Sequence, residues 1–234
     1  MTKNIVIILA GGSGTRFGGE LPKQFVMIAG KSIIEHTISI FQNAKIIDEI
    51  AVVINKNYKK KIESIVEKNN FTKVKKIIQG GADRAGSSIS AINAYEDAKK
   101  SENINLIFHD AVRLFVSEAI IDNVVDALKN YNAVGVAIPV TNTIFEVKEK
   151  KIQNIPNREY LQQAQTPQAF NLSVIKKAYE KAKNDENFVA TDDCGVVNKY
   201  LPNEQIYLVA GDETNIKITY ELDIFVAEKV LETE

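Results

Sequence analysis

The 234-residue sequence predicts an α/β fold: a mostly parallel sheet covered on both faces by helices, with a β-arm projecting from it. Three observations predict it. Short β-branched runs alternate with amphipathic stretches of helical period, the pattern of strands joined by crossover helices. The strand runs are apolar almost without interruption, as strands buried on both faces are. The rhythm breaks after Val140, where a charged, hairpin-like segment intervenes.

In order, strands at residues 5–9, 49–54, 74–78, 104–109 and 133–138 alternate with helices at 32–42, 58–69, 87–99 and 117–129. The first apolar run, "IVIILA", is short and leads into glycine, so it reads as a strand and not as a secretion signal. Ser32 and Glu35 have capping-box spacing, in which each side chain satisfies the other residue's backbone N–H. The stretch "VTNTIFEVKEKKIQNIPNREYLQQAQTPQAF" holds two alternating segments around a charged turn, a hairpin leaving the body. Apolar alternation on an exposed arm needs a surface to lie against, and a second subunit is the expected one. A helix at 172–183, a strand at 206–209 and a helix at 221–231 complete the chain. With no repeat or linker, one domain is expected over 1–234, with 140–162 as its dimerisation arm.

Composition narrows the partners. Lys plus Arg (29) balances Asp plus Glu (30), so no global positive field invites a nucleic-acid polymer, and any anion must be held locally. No apolar segment approaches the roughly 20 residues that span a bilayer, so no membrane association is expected. The single cysteine, Cys194, excludes an intrachain disulfide and a cysteine-based zinc cluster, and a cytoplasmic location is expected.

The segment "LAGGSGTRFGGELPKQF" concentrates the chemistry. Gly11, Gly12 and Gly14 let the backbone approach a ligand, and successive N–H groups after a strand form an anion-binding concavity beside Arg16 and Lys23. The dinucleotide fingerprint fits poorly, because Phe17 replaces its third glycine. A P-loop at Gly30–Lys31–Ser32 fails because Phe25 stands where its first glycine is needed. Taken alone, the loop also fits a glycine-rich surface turn with solvated charges.

Further stretches decide the resemblance: "QGGADRAGSS", "FHDAVR", "AIPVTNT", "NREYLQQAQTPQAF" and "NIKIT", in this order after the glycine loop. Together they resemble the cytidylyltransferases that act on 2-C-methylerythritol 4-phosphate or ribitol 5-phosphate, over essentially the whole chain. The resemblance implies a doubly wound, Rossmann-like domain of the nucleotide-diphospho-sugar transferase type, with an arm exchanged across a homodimer. It also implies transfer of CMP from CTP to a sugar-alcohol phosphate, with Mg²⁺ and release of pyrophosphate. The attacking phosphate monoester has a second pKa of about 6, so it is largely ionised at neutral pH and needs no general base.

The same resemblance assigns roles. Arg16 and Lys23 would clamp the triphosphate and Lys217 would reach the α-phosphate. Ala10, Gly11, Gly12, Gly14 and Thr15 would contact nucleotide and phosphates, Gly81, Ala82 and Ser87 the cytosine, and Ala111 the ribose. Asp110 would hold the acceptor's hydroxyls or ligate Mg²⁺; Arg113 would face the acceptor; Thr143 and Arg158 would bind its phosphate in the neighbouring subunit's site. The chain departs from the family pattern at Ala82 and Asn142, where Asp is common, and at Leu114, where Pro is usual. Among the remaining polar residues, Arg84 reads as a brace for its loop and His109 as structural. Asp192 and Asp193 have metal-ligand spacing but read as helix caps, and Cys194 as a small buried residue. The acceptor reads as D-ribitol 5-phosphate, with 2-C-methyl-D-erythritol 4-phosphate as the alternative. A nicotinamide dehydrogenase and a non-catalytic nucleotide-binding protein are the distant ones.

Overall fold

The computed structural model describes residues 2–12, 21–96 and 104–233. Its elements run β1 (Lys3–Leu9), a short ribbon of β2 (Met27–Ile28) and β3 (Lys31–Ser32), α1 (Ile33–Asn43), β4 (Glu49–Ile54), α2 (Lys59–Lys68), β5 (Val74–Gln79) and α3 (Arg84–Ala94). There follow β6 (Ile104–Asp110), α4 (Glu118–Ala127), β7 (Ala133–Pro139), β8 (Glu146–Lys148), β9 (Lys151–Asn154) and β10 (Gln162–Asn171). The chain closes with α5 (Leu172–Ala182), α6 (Asp193–Tyr200), β11 (Ile206–Ala210) and α7 (Glu221–Thr233).

Seven strands form one sheet in the order β11-β7-β10-β6-β1-β4-β5. Its β1, β4, β5 and β6 pairings and the β7–β11 pairing are parallel, while β10 runs antiparallel to both β6 and β7. The mostly parallel α/β sheet that the sequence predicts is therefore present, with one reversed strand. The uninterrupted apolar runs are explained by the two faces. In β1, Val6 and Ile8 point into a core with α1 and α4, while Ile5 and Ile7 point into a second core with α3, α5 and α6. Each face thus takes alternate residues of one apolar strand. Ser32 and Glu35 do form the capping box of α1.

One strand escapes the periodicity argument. The predicted arm ends at residue 162 and no strand is expected between it and the helix at 172–183, yet Gln162–Asn171 is the reversed central strand. The reason is that its buried positions include Gln165, Thr166 and Gln168, each almost fully buried, where an apolar alternation would be looked for. Pro167 lies where the β10–β7 register shifts, between Gln165 and Ala169. A residue with no N–H to donate is tolerated in a ladder at such an irregularity.

The predicted arm is present. Between β7 and β10 the chain leaves the sheet as the β8–β9 hairpin, turning through Glu149 and Lys150, both at positive φ. That is the mirror-image turn whose twist matches paired strands. The flanks expose Ile144, Phe145, Val147, Ile152, Ile155 and Tyr160.

A third apolar cluster fixes the segment after β11. Ile218 and Ala227 pack with Ile28, Ile33, Val112, Leu114 and Phe115. Leu114, which stands where proline is usual, is absorbed into that cluster and is 3% exposed. The Ile218 N–H donates to the Val112 carbonyl at 2.9 Å, stitching residues 215–219 to the end of β6.

Candidate active site

Ala10–Gly12, Asn55 and Ala111–Val112 follow β1, β4 and β6 directly, so they meet at the carboxyl edge of the parallel strands. Open α/β sheets bind ligands at this edge. A cleft of about 530 Å³ opens there, and Lys23, Lys217 and the loop at 81–87 line it. Of the predicted residues, Ala10, Gly11, Gly12, Lys23, Gly81, Ala82, Ser87, Asp110, Ala111 and Lys217 all line this one cleft. Gly14, Thr15 and Arg16 lie outside the described residues.

The two lysines are 194 positions apart in sequence, yet the stitched segment brings them to one wall. Lys23 Nζ donates to the Ile218 carbonyl at 2.8 Å, and Lys217 Nζ lies 2.9 Å from Asp110 Oδ2. Gln24, which the sequence reading passes over, is 3% exposed and holds the glycine loop. Its Nε2 donates to the Ala10 carbonyl at 2.7 Å, which steadies the backbone before the concavity. The signal for it was its place beside Lys23 in "PKQ".

Asp110 is an anionic hub among cations. Burial alone would raise its carboxyl, but Lys217, Arg84 and Arg113 outweigh that and hold it at about 2. Beneath it, the Asp110 N–H donates to Thr166 Oγ1 at 3.1 Å, and Thr166 lies 3.1 Å from His109 Nδ1. His109 Nε2 lies 2.9 Å from the Arg113 carbonyl, which can only accept. Nε2 therefore carries the proton and Nδ1 accepts from the threonine. Burial pushes this imidazole down to about 4, so it is neutral and sealed, a structural residue as its sequence context indicates.

Arg113 corrects an expectation. It does not present itself to the cleft: it is 7% exposed, and its Nη1 donates to the Asn215 carbonyl at 2.7 Å. Its Nε stands 3.7 Å from Asp110. The guanidinium is used on the wall that carries Lys217, because Asn215 begins the "NIKIT" segment.

The loop expected to read the base is tightly folded. A Cβ at Gly81 would come within 2.4–2.9 Å of the Gly86 backbone, so only glycine fits. Asp83 caps α3 by accepting from the Gly86 N–H at 2.7 Å, and Ser87 Oγ donates back to the Asp83 carbonyl at 2.9 Å. Arg84 is a brace, as expected, but a long-range one: its Nη1 lies 2.6 Å from Asp193 Oδ2. Asp192 caps α6 through the Gly195 N–H at 2.8 Å, which also agrees with the sequence reading. Asp193 does something else. It accepts Arg84 on one oxygen and the Tyr179 hydroxyl on the other, at 2.7 Å. Cys194 is part-buried, and burial raises its thiol.

Two of the residues expected at the acceptor are not assembled with the cleft. Thr143 and Arg158 are exposed on the arm and do not line it, and Arg158 Nη1 donates to the Thr141 carbonyl at 2.8 Å.

Among the described residues no three His, Cys, Asp or Glu side chains stand together to hold a metal. Of the two carboxylates that line the cleft among the described residues, Asp83 is engaged in its cap, which leaves Asp110. One carboxylate fits a Mg²⁺ ion that takes its other ligands from phosphate oxygens and water. What the described residues offer chemically is fixed ammonium groups and backbone N–H groups around a space sized for a nucleotide.

Residues 4–233 match the family model described as "IspD: 2-C-methyl-D-erythritol 4-phosphate cytidylyltransferase". A Haemophilus influenzae protein, a bifunctional ribulose 5-phosphate reductase/CDP-ribitol pyrophosphorylase, is 47% identical over 99% of this chain. This chain spans only 48% of that relative's length. The 2-C-methyl-D-erythritol 4-phosphate cytidylyltransferase of Thermobifida fusca is 41% identical, over 97% of this chain and 92% of its own. A crystal structure of 4-diphosphocytidyl-2C-methyl-D-erythritol synthase from Anaerococcus prevotii superposes with a TM-score of 0.86 at 30% identity, covering 99% of this chain and 96% of that one.

Proposed function

The chain belongs to the IspD family of CTP-dependent cytidylyltransferases, and from that premise we propose that it transfers CMP from CTP to D-ribitol 5-phosphate, releasing pyrophosphate and forming CDP-ribitol. The observation that carries the nucleotidyl transfer is the convergence of Lys23, Lys217 and Ala10–Gly12 on one cleft. The acceptor rests on the 47% identity to a relative named for CDP-ribitol, against 38–41% for several named for the methylerythritol phosphate.

The chemistry follows from the charges. An oxygen of the acceptor's phosphate dianion attacks the α-phosphorus of CTP; the new P–O bond forms as the bond to the β-phosphate oxygen breaks, and that electron pair leaves on pyrophosphate. No proton moves, in keeping with a neutral, buried His109. Lys23 and Lys217 hold the phosphates and stabilise charge growing on the transferring group, with Arg16 joining them from the glycine loop. Gly81, Ala82 and Ser87 receive the base, Ala111 the ribose, and Asp110 the acceptor's hydroxyls. Asp110 would, as the alternative to that contact, be the residue to hold a Mg²⁺ ion, which would supply neutralisation of phosphate charge. Thr143 and Arg158 complete a neighbouring subunit's site in a homodimer, a reading supported by their absence from the cleft of their own chain. Catalysis in the cytoplasm completes the reading.

The second reading, 2-C-methyl-D-erythritol 4-phosphate as acceptor, is favoured by the family description and by the Thermobifida relative. Pyrophosphate release with CTP and Mg²⁺ separates the two. The expected result is a kcat/KM for ribitol 5-phosphate well above that for the methylerythritol phosphate. The reverse order replaces the first reading with the second, and no turnover with any polyol phosphate defeats both.

A further inference from the structure

We propose that Asp193 is a positioning residue for the nucleotide: through the guanidinium of Arg84 it fixes the start of α3, and with it the loop at 81–87 that receives the base. The inference rests on reading the cleft as the CTP site.

Helix α6 needs one capping carboxylate at its start, and Asp192 supplies it. The neighbouring Asp193 is therefore free for other work, yet it is fully buried. A buried carboxylate is tolerated only when its oxygens are paired, and here both are. Arg84 Nη1 lies 2.6 Å from Oδ2, the Tyr179 hydroxyl donates to Oδ1 at 2.7 Å, and the Asp193 N–H donates to Gln168 Oε1 at 3.1 Å. Tyr179, Asp193 and Arg84 stand on α5, α6 and α3, so the chain of bonds ties three helices on one face of the sheet.

Its far end is the cleft. Arg84 is the first residue of α3 and lines the cleft with Gly81, Ala82 and Ser87. Its side chain keeps 23% exposure. Gly81 packs on Gly86 with no room for a Cβ, so a displaced first turn of α3 carries the loop with it. The carboxylate 109 positions away thereby sets where the base is received.

Charge alone predicts the opposite effect. Removing an anion near a site for a polyphosphate strengthens binding by Coulomb's law. A merely structural role lowers thermal stability and leaves the kinetic constants of the folded enzyme alone. A positioning role weakens CTP selectively, because the loop loses its aim.

The test is steady-state kinetics on Asp193→Asn and Tyr179→Phe, together with calorimetric titration of the wild-type enzyme with CTP and Mg²⁺. In Asp193→Asn, KM for CTP is expected to rise about tenfold, the change that loss of one charge-assisted hydrogen bond brings, with kcat and the acceptor KM within about threefold. Tyr179→Phe keeps the ion pair and loses one donor, so its KM for CTP is expected to rise about threefold. A KM for CTP that is unchanged or lowered in folded Asp193→Asn overturns the proposal. If that variant does not fold, an unchanged KM in Tyr179→Phe overturns it. Failure of the wild-type enzyme to bind CTP instead removes the functional reading beneath it.

Discussion

At the scale of single residues, the site's power lies in cations whose partners are already fixed. Lys23→Ala and Lys217→Ala should each lower kcat by about 10²–10³, the loss seen when one such stabilising group is removed from a transition state. Pyrophosphate release against a thermal melt checks this, and near-normal turnover in either folded variant removes that lysine from the mechanism. His109 gives a prediction in pH. Its folded value is about 4 against an ordinary 6.5, so between those values the unfolded chain binds more protons than the folded one. The neutral histidine's contribution is present above about pH 6.5 and is lost as pH falls towards 4, amounting to roughly 3 kcal/mol. Asp110, held at about 2, stays ionised throughout that window. Urea melts between pH 7 and pH 4 should therefore steepen in loss for the wild type and flatten in His109→Gln; parallel profiles would exclude His109 as the source. Much at this scale was legible. Lys23, Asp110 and Lys217 could be picked out because charge types in known motifs survive translation into space. Arg113 is not legible in this way, because a sequence shows that a guanidinium exists but not that the Asn215 carbonyl has claimed it. Asp193 reads in sequence as a cap beside a true one, since nothing local announces a bond to Arg84.

At the scale of elements, strands and helices with one kind of core neighbour were readable and β10 was not. Periodicity reports burial of apolar side chains, whereas β10 buries amides that hold other loops: Gln165 Nε2 donates to the Asp212 carbonyl, and Gln168 Oε1 accepts from two N–H groups of α6. The arm was legible because its charged turn and alternating flanks are local. Its exposed Phe145, Val147, Ile152 and Tyr160 leave apolar surface along the hairpin. If the arm delivers Arg158 to a neighbour's cleft, mixed Lys23→Ala and Arg158→Ala subunits should recover activity that neither variant has alone. Half of randomly exchanged dimers are mixed and each holds one intact site, so about a quarter of wild-type activity is expected. No recovery after confirmed subunit exchange would confine each site to one chain.

At the scale of the whole molecule, ligand binding and folding are one equilibrium. CTP at a hundred times its Kd should add about 2.7 kcal/mol, raising Tm by roughly 5–10 °C for a chain of this length. A nicotinamide dinucleotide at equal concentration should leave Tm unchanged; a shift with the dinucleotide and none with CTP would favour the dehydrogenase reading. The sheet order also bears on how the chain is made. Because β10 separates β6 from β7, the first four strands of the large sheet and the pair that follows β10 in space have no direct ladder to one another. During synthesis, β6 emerges more than fifty residues ahead of the strand that covers it, and until then it presents bare N–H and C=O groups along an apolar ribbon. A ribosome stalled just short of Gln162 would thus hold a half-built, adhesive intermediate, and the interval before that strand arrives is when the nascent chain most needs a chaperone's shelter.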